Sequence, residues 1–172
     1  MTLTDIAGYL PHGLIGYHHQ GAICKIDMAF AAKYGVALCN YRPVLRHMRD
    51  LSMEITEKGY NDGKPFVPII KLVEAATGLQ GAKLIGNKGT IQGEYSVWKY
   101  EYSLYWDLSR KTFGFYSNVE NEHNVEIEGG VYMIWNQTSV LDLLHRWHFD
   151  YRGLIEAGEA VSVHELKKDP YQ

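Results

Sequence analysis

The stretch from Tyr95 to Tyr116, YSVWKYEYSLYWDLSRKTFGFY, constrains the fold of this chain more than any other. Its even positions Trp98, Tyr100, Tyr102, Leu104 and Trp106 are all large, whereas Lys99, Glu101, Ser103 and Asp107 are polar. A two-residue alternation of this kind is the pattern of a half-buried strand, here with a ladder of rings on one face. At about 3.3 Å per residue a strand from Tyr95 to Trp106 spans roughly 40 Å, long enough to be the spine of a sheet. Asp107-Leu-Ser-Arg110 has turn chemistry, and Thr112 to Tyr116 is expected to return antiparallel with Phe113 and Phe115 on one face.

The remaining elements follow from local signals. Thr2 to Asp5 starts a short helix whose apolar stripe is Ile6, Tyr9 and Leu10, ended by Pro11. Leu14–His19 and Ala22–Met28 alternate around Gln20-Gly21 and read as a hairpin, and Val36–Tyr41 reads as a further strand. Leu45, Met48, Leu51 and Ile55 recur every three to four residues and predict a helix to about Glu57. A second short helix begins at Pro68, carries Ile69, Leu72, Val73 and Ala76, and stops at Gly78, where a left-handed residue is wanted. The glycine-dense stretch Gly78–Gly93 predicts tight turns or bulges between short strands. Asn124–Glu128 and Val131–Trp135 read as strands. Ser139 with Asp142 resembles a capping box, and Val140, Leu141, Leu144, Trp147 and Tyr151 trace the buried face of the longest helix. The order predicts an α+β fold: a mainly antiparallel, twisted sheet with two short helices and one longer C-terminal helix packed on it.

The chain has 172 residues, read as one globular domain over 1–172 that needs no staples. Its net charge of −3 and pI near 6.2 give it no general pull toward phosphate backbones or anionic membranes. Long single-stranded nucleic acid is accordingly a disfavoured partner. MTLTDIAGYL lacks a basic start followed by an apolar run, and no stretch approaches 18 apolar residues, so the chain reads as cytoplasmic. Cys24 and Cys39 sit in no metal or redox motif and read as buried free thiols. Thirteen Tyr and four Trp fit a β-rich core, and also a binding surface that pairs contact area with a polar handle.

Three blocks, IAGYLPHGL at Ile6–Leu14, YRPVLRHMRDLSMEI at Tyr41–Ile55 and WHFDYRGLIEAGEAVSV at Trp147–Val163, resemble small uncharacterised proteins encoded in phages and mobile elements of gut bacteria. His12 stands where Tyr is usual in that group, and His47-Met48-Arg49 replaces a Pro-Leu-Ser step. The resemblance implies a phage-like accessory role in the cytoplasm of a host bacterium and brings no catalytic residues with it.

No nucleophile, base and orienting partner can be assembled from these residues, and no cofactor is implied. His145 and His148, three apart on the predicted helix, are the one pair with metal-ligand spacing, and they carry the alternative of a metal-dependent hydrolase if His123 or His164 joins them. His18 and His19 occupy adjacent strand positions and are expected on opposite faces. Gly81–Thr90 is not a Walker loop, because Asn87 separates Gly86 from Lys88 and strand-like sequence follows. Glu120, Glu122, Glu126 and Glu128 read as a solvated acidic edge. The predicted ligand-binding residues are Trp98, Tyr100, Tyr102 and Trp106 for stacking, with Lys88, Lys99, Arg110 and Lys111 to neutralise phosphate; Arg42, Arg46 and Arg49 are further cations able to converge there. The sequence thus predicts a non-enzymatic protein that binds and occupies a host protein or a small nucleotide ligand, and that self-associates through an apolar sheet face.

Overall fold

The computed structural model describes residues 2–34, 40–95, 98–121 and 136–172. The fold is α+β, and its strands form two four-stranded sheets. The chain divides into two compact units, residues 1–48 with 142–172, and residues 49–141.

In the first unit Thr2 opens α1 (Leu3–Ile6) through a capping box. The Thr2 N–H and Oγ1 donate to Asp5 Oδ2 at 2.6 and 2.8 Å, and these bonds hold the Asp5 carboxyl below its usual range. Ile6, Tyr9 and Leu10 are buried as their spacing predicts. β1 (Leu14–His18) turns through Gln20-Gly21 into β2 (Ile23–Ile26), with Leu14 opposite Ile26. α2 (Met28–Tyr34) follows, its first turn capped by Asp27 Oδ1, which accepts from the Phe30 N–H at 2.9 Å. β3 (Tyr41–Leu45) runs antiparallel to β1 and parallel to β8 (Val161–Ser162), giving the order β2-β1-β3-β8. One core cluster joins Ile6, Tyr9, Leu14, Ile26, Leu45, Leu154 and Ala160, and a smaller one joins Val44, Val163 and Tyr171.

A charged residue lies inside this unit. Arg46 is 1% exposed; its Nη1 donates to the Trp147 carbonyl at 2.6 Å and its Nη2 to Asp169 Oδ2 at 2.9 Å. The guanidinium also lies 5.0 Å from the centre of the Tyr171 ring, whose hydroxyl donates to the Val44 carbonyl at 2.6 Å. A buried cation is tolerable only when paired and hydrogen-bonded in this way.

The second unit holds α3 (Pro68–Thr77), with Pro68 in its first turn and Gly78 left-handed at its C-cap, as the sequence predicts. β4 (Lys83–Ile85), β5 (Lys88–Tyr95), β6 (Trp98–Asp107) and β7 (Thr112–Asn121) follow as a meander in sequence order, every neighbouring pair antiparallel. α3 packs on β5 and β6. Their closest approach is at Gly89, where an added Cβ would press on the Ile69 carbonyl group. α4 (Gln137–Arg146) runs across the boundary between the units and, at ten residues, matches α3 in length.

Several local expectations are corrected. The helix predicted over Leu45–Glu57 is the end of β3, a 3-10 turn (Met48–Ser52) and an isolated bridge pairing Ile55 with Phe66. Residues 43–46 are all buried, so the three-to-four spacing there belongs to a strand shielded on both faces. Tyr95–Trp106 is two strands: Tyr95 pairs with Trp98 across a reversal, and the long strand starts at Trp98. α4 starts two residues before Ser139, and its cap is Asn136, whose Oδ1 accepts from the Ser139 N–H at 3.2 Å. It ends at Arg146, before Trp147. The rings of His18 and His19 lie 4.0 Å apart, because β1 ends at His18 and alternation stops there. Val36–Cys39, Asn124–Glu128, Val131–Trp135, Glu122 and His123 lie outside the described residues.

Candidate functional site

Register across β5, β6 and β7 sorts the second sheet into two faces. Gly89, Ile91 and Gly93 oppose Leu104, Tyr102 and Tyr100, which in turn oppose Phe115, Ser117 and Val119. This is the ladder face. Ile91, Leu104 and Phe115 are buried at the end nearest α3, Tyr102 and Tyr100 are half-buried, and Trp98 is 38% exposed. Tyr100 stacks on Tyr102 with centroids 5.5 Å apart, and Tyr102 stacks on Phe115 at 6.1 Å. Burial, with the neighbouring Tyr100, raises the Tyr102 phenol above its ordinary value. At the other end of β6, Trp106 meets Phe113 edge to face at 5.0 Å. The predicted ladder is therefore present, buried at its middle and partly open at Trp98.

Tyr100 lies flat because the residue opposite it is Gly93. An added Cβ at Gly93 would fall 2.5 Å from Tyr100 Cζ, so the ring occupies the space a side chain would take. Tyr105 does the same over Gly114 on the opposite face, and Lys88 Nζ lies 5.1 Å from its centroid.

The predicted cations do not gather beside the open rungs. Lys88 and Lys99 alternate onto the face opposite the ladder, Lys99 facing Glu94 in register. Arg110 and Lys111 sit in the β6–β7 turn beyond Asp107, which is eight residues or about 26 Å along the strand from Lys99. There the Asp107 carboxylate accepts from Ser109 Oγ and from the Ser109 and Arg110 N–H groups, which lowers its pKa, and Arg110 Nε lies 3.9 Å away. Arg42 and Arg46 belong to the first unit, Arg46 as a buried structural cation, and Arg49 Nε is 3.9 Å from Asp50.

His145 and His148 do not share one environment. His145 Nε2 is 2.9 Å from the Tyr151 hydroxyl and its ring meets Tyr9 edge-on, whereas His148, past the helix end at φ 60°, stacks on Tyr171 at 3.8 Å. Burial lowers both pKa values, that of His148 strongly, with Arg46 adding to it. Among the described residues no group of three or more His, Cys, Asp or Glu is arranged to hold a metal ion. Cys24 is a half-buried free thiol, its pKa raised by burial.

The sequence reading missed a cavity of about 370 Å³ lined by Gln92, Gly93, Glu94, Lys99, Tyr100, Glu101 and Asn118. Gln92, Glu101 and Asn118 form one row across three strands, with Gln92 Nε2 donating to Glu101 Oε2 at 2.7 Å. These side chains project from the face opposite the ladder. The sequence carries a signal for it in the alternating polar residues Gln92 and Glu94, which the surrounding glycines obscure.

Compared with known proteins, the chain matches no family model, no curated protein and no solved structure. Among the described residues no helix is long and apolar enough to cross a membrane.

Proposed function

We propose that the protein is a non-enzymatic binding protein whose open ladder end, Trp98 with Tyr100 and Tyr102, docks a protein partner, in keeping with the accessory role implied by the three sequence blocks. The carrying observation is the exposure gradient along β6, from buried Leu104 past the stacked Tyr102 and Tyr100 to Trp98 at 38%. Half-sheltered Tyr and Trp rings offer large contact area at small entropic cost, which is why such residues anchor interfaces. The placement of the cations favours a protein over a nucleotide: a stacked base needs its phosphate neutralised nearby, and Lys88, Lys99, Arg110 and Lys111 are on the other face or at the far turn. A metal-dependent hydrolase gains no support from the separate settings of His145 and His148. Leu84 and Ile85, exposed on the short strand β4, favour self-association as a second reading, and a monomer by light scattering at high concentration rules that out.

Native mass spectrometry of the protein drawn from phage-infected bacterial lysate tests the main reading. The expected result is a retained protein that the Trp98→Ala/Tyr100→Ala variant loses. A retained nucleotide, a partner held equally by the variant, or an empty wild-type protein overturns it.

A further inference from the structure

The face of the second sheet opposite the ladder is built differently from the ring surface. Its rows, read across β5, β6 and β7, are Thr90–Ser103–Tyr116 and Gln92–Glu101–Asn118, and beyond them Glu94 opposes Lys99. Thr90 and Ser103 are buried, with their hydroxyls 2.9 Å apart, and Tyr116 at the end of their row is 41% exposed. The cavity of about 370 Å³ opens over the Gln92–Glu101–Asn118 row, within the size range of small-molecule sites.

The chemistry of this lining narrows the ligand. Two carboxylates against one ammonium disfavour a phosphate or other multiply charged anion. The Lys99 ammonium beside the carboxylates disfavours a metal ion, and a lining of charged and amide side chains around Gly93 and Tyr100 disfavours a hydrocarbon. Glu94 and Lys99, directly opposed in register, offset each other's charge. That leaves a carboxylate flanked by two amides. One hydrogen bond donated by Gln92 Nε2 fixes the Glu101 carboxylate in place while most of its acceptor capacity stays open. The amide side chains on either side both donate and accept. A ligand that satisfies such a row must carry several neutral groups that donate and accept together, which is the character of vicinal hydroxyls.

We propose that this cavity is a binding site for an uncharged polyhydroxylated ligand of mono- or disaccharide size, with Glu101, Gln92 and Asn118 holding its hydroxyls. The site takes Tyr100 into its lining and so adjoins the ring surface assigned above, while its hydrogen-bonding row Gln92–Glu101–Asn118 projects from the opposite face.

Saturation-transfer NMR tests it with the methyl glycosides of glucose, galactose, mannose and N-acetylglucosamine, together with maltose and cellobiose; glutamate and arginine serve as charged comparators. At least one sugar is expected to bind the wild-type protein. Glu101→Gln, which keeps the side-chain shape, is expected to weaken that binding about tenfold or more, the loss of a charge-assisted hydrogen bond. Arg110→Gln, in the exposed turn at the far end of β6, is expected to leave it within about twofold. The amide spectrum of each variant verifies the fold, and Asn118→Ala stands in if Glu101→Gln unfolds. No signal from any sugar overturns the proposal, as does sugar binding indifferent to both Glu101→Gln and Asn118→Ala, or a preference for glutamate or arginine over every sugar.

Discussion

Replacing Gly89 with alanine tests the packing of the second unit at its tightest point. The new methyl would lie 2.9 Å from the Ile69 carbonyl carbon and 3.0 Å from Val73 Cγ1, and closer still to the Ile69 carbonyl oxygen. Carbon atoms in ordinary contact sit about 3.5–4.0 Å apart, so α3 has to retreat by roughly 0.5–1 Å. The obstacle is helix backbone, and no rotamer change relieves it. A gap of that width weakens the contacts of α3 with β5 and β6 by about a quarter to a half. Overpacking of a well-filled interior costs about 1–3 kcal/mol, and a backbone obstacle places Gly89→Ala near the upper end. Alanine returns about 0.5–1 kcal/mol by restricting the unfolded chain, which leaves a net loss of about 2 kcal/mol. Urea unfolding followed by far-UV circular dichroism measures this, with a Tm lower by about 4–8 °C as the thermal counterpart. Gly93→Ala is the control. Its new methyl meets the mobile end of the Tyr100 ring, so the cost is expected below about 1 kcal/mol, with the ring displaced. Equal costs at the two positions, or a Gly89→Ala loss under about 0.5 kcal/mol, would refute the claim that backbone contact requires glycine at 89.

Other outcomes follow from the same geometry. Thr90→Val and Ser103→Ala each strand a buried hydroxyl and should cost about 1–3 kcal/mol, while the double variant costs clearly less than their sum; additivity in a double-mutant cycle would contradict the pairing. Arg46→Met leaves Asp169 without its partner and is expected to cost about 3 kcal/mol, much of it recovered by adding Asp169→Asn, as read by denaturant midpoints. His148, with His145 and His12, is held below its ordinary pKa, so the unfolded chain binds protons first as pH falls through about 6.5. Stability is therefore expected to be full above that value and to decline toward pH 5. His148→Asn, which tolerates the left-handed backbone, should flatten the slope, and an unchanged slope would count against His148 as its source.

What the sequence makes legible is local. Thr2 with Asp5, Pro68 with Gly78, the Gln20-Gly21 reversal and the Asp107–Arg110 turn all carry their geometry in a few adjacent residues, and each is where its signal places it. The ring ladder is legible too, because alternation survives along β6. The errors come from long-range effects. Val44 is buried with Val163 and Tyr171, and Leu45 with Ile6, Leu154 and Ala160, partners most of which lie more than a hundred residues further on, so no local period reports them. Asp27 at the head of α2 is a visible cap signal that the apparent alternation of Ala22–Met28 outweighs. For the candidate site, the ring ladder follows the alternation along β6, whereas the cations expected beside it lie on the other face or in the far turn. A ring's neighbours along one strand are fixed by alternation, whereas the convergence of Lys88, Lys99, Arg110 and Lys111 depends on strand register and on the length of the hairpin. The polar row of Gln92, Glu101 and Asn118 exists only once three strands are aligned.

The discontinuity of the first unit sets an order of events during synthesis. Its residues 1–48 emerge first, yet the segment that supplies β8, Leu154, Asp169 and Tyr171 emerges only after the whole of residues 49–141. At ribosomal rates of about 5–20 residues per second, that interval lasts about 5–20 s. Throughout it Ile6, Tyr9, Leu14 and Ile26 lack Leu154 and Ala160, with Tyr151 and Ile155 beside them, while Arg46 waits for the carboxylate of Asp169. The parallel pairing of Val44 with Val161 is thus a late step whose long loop makes it slow.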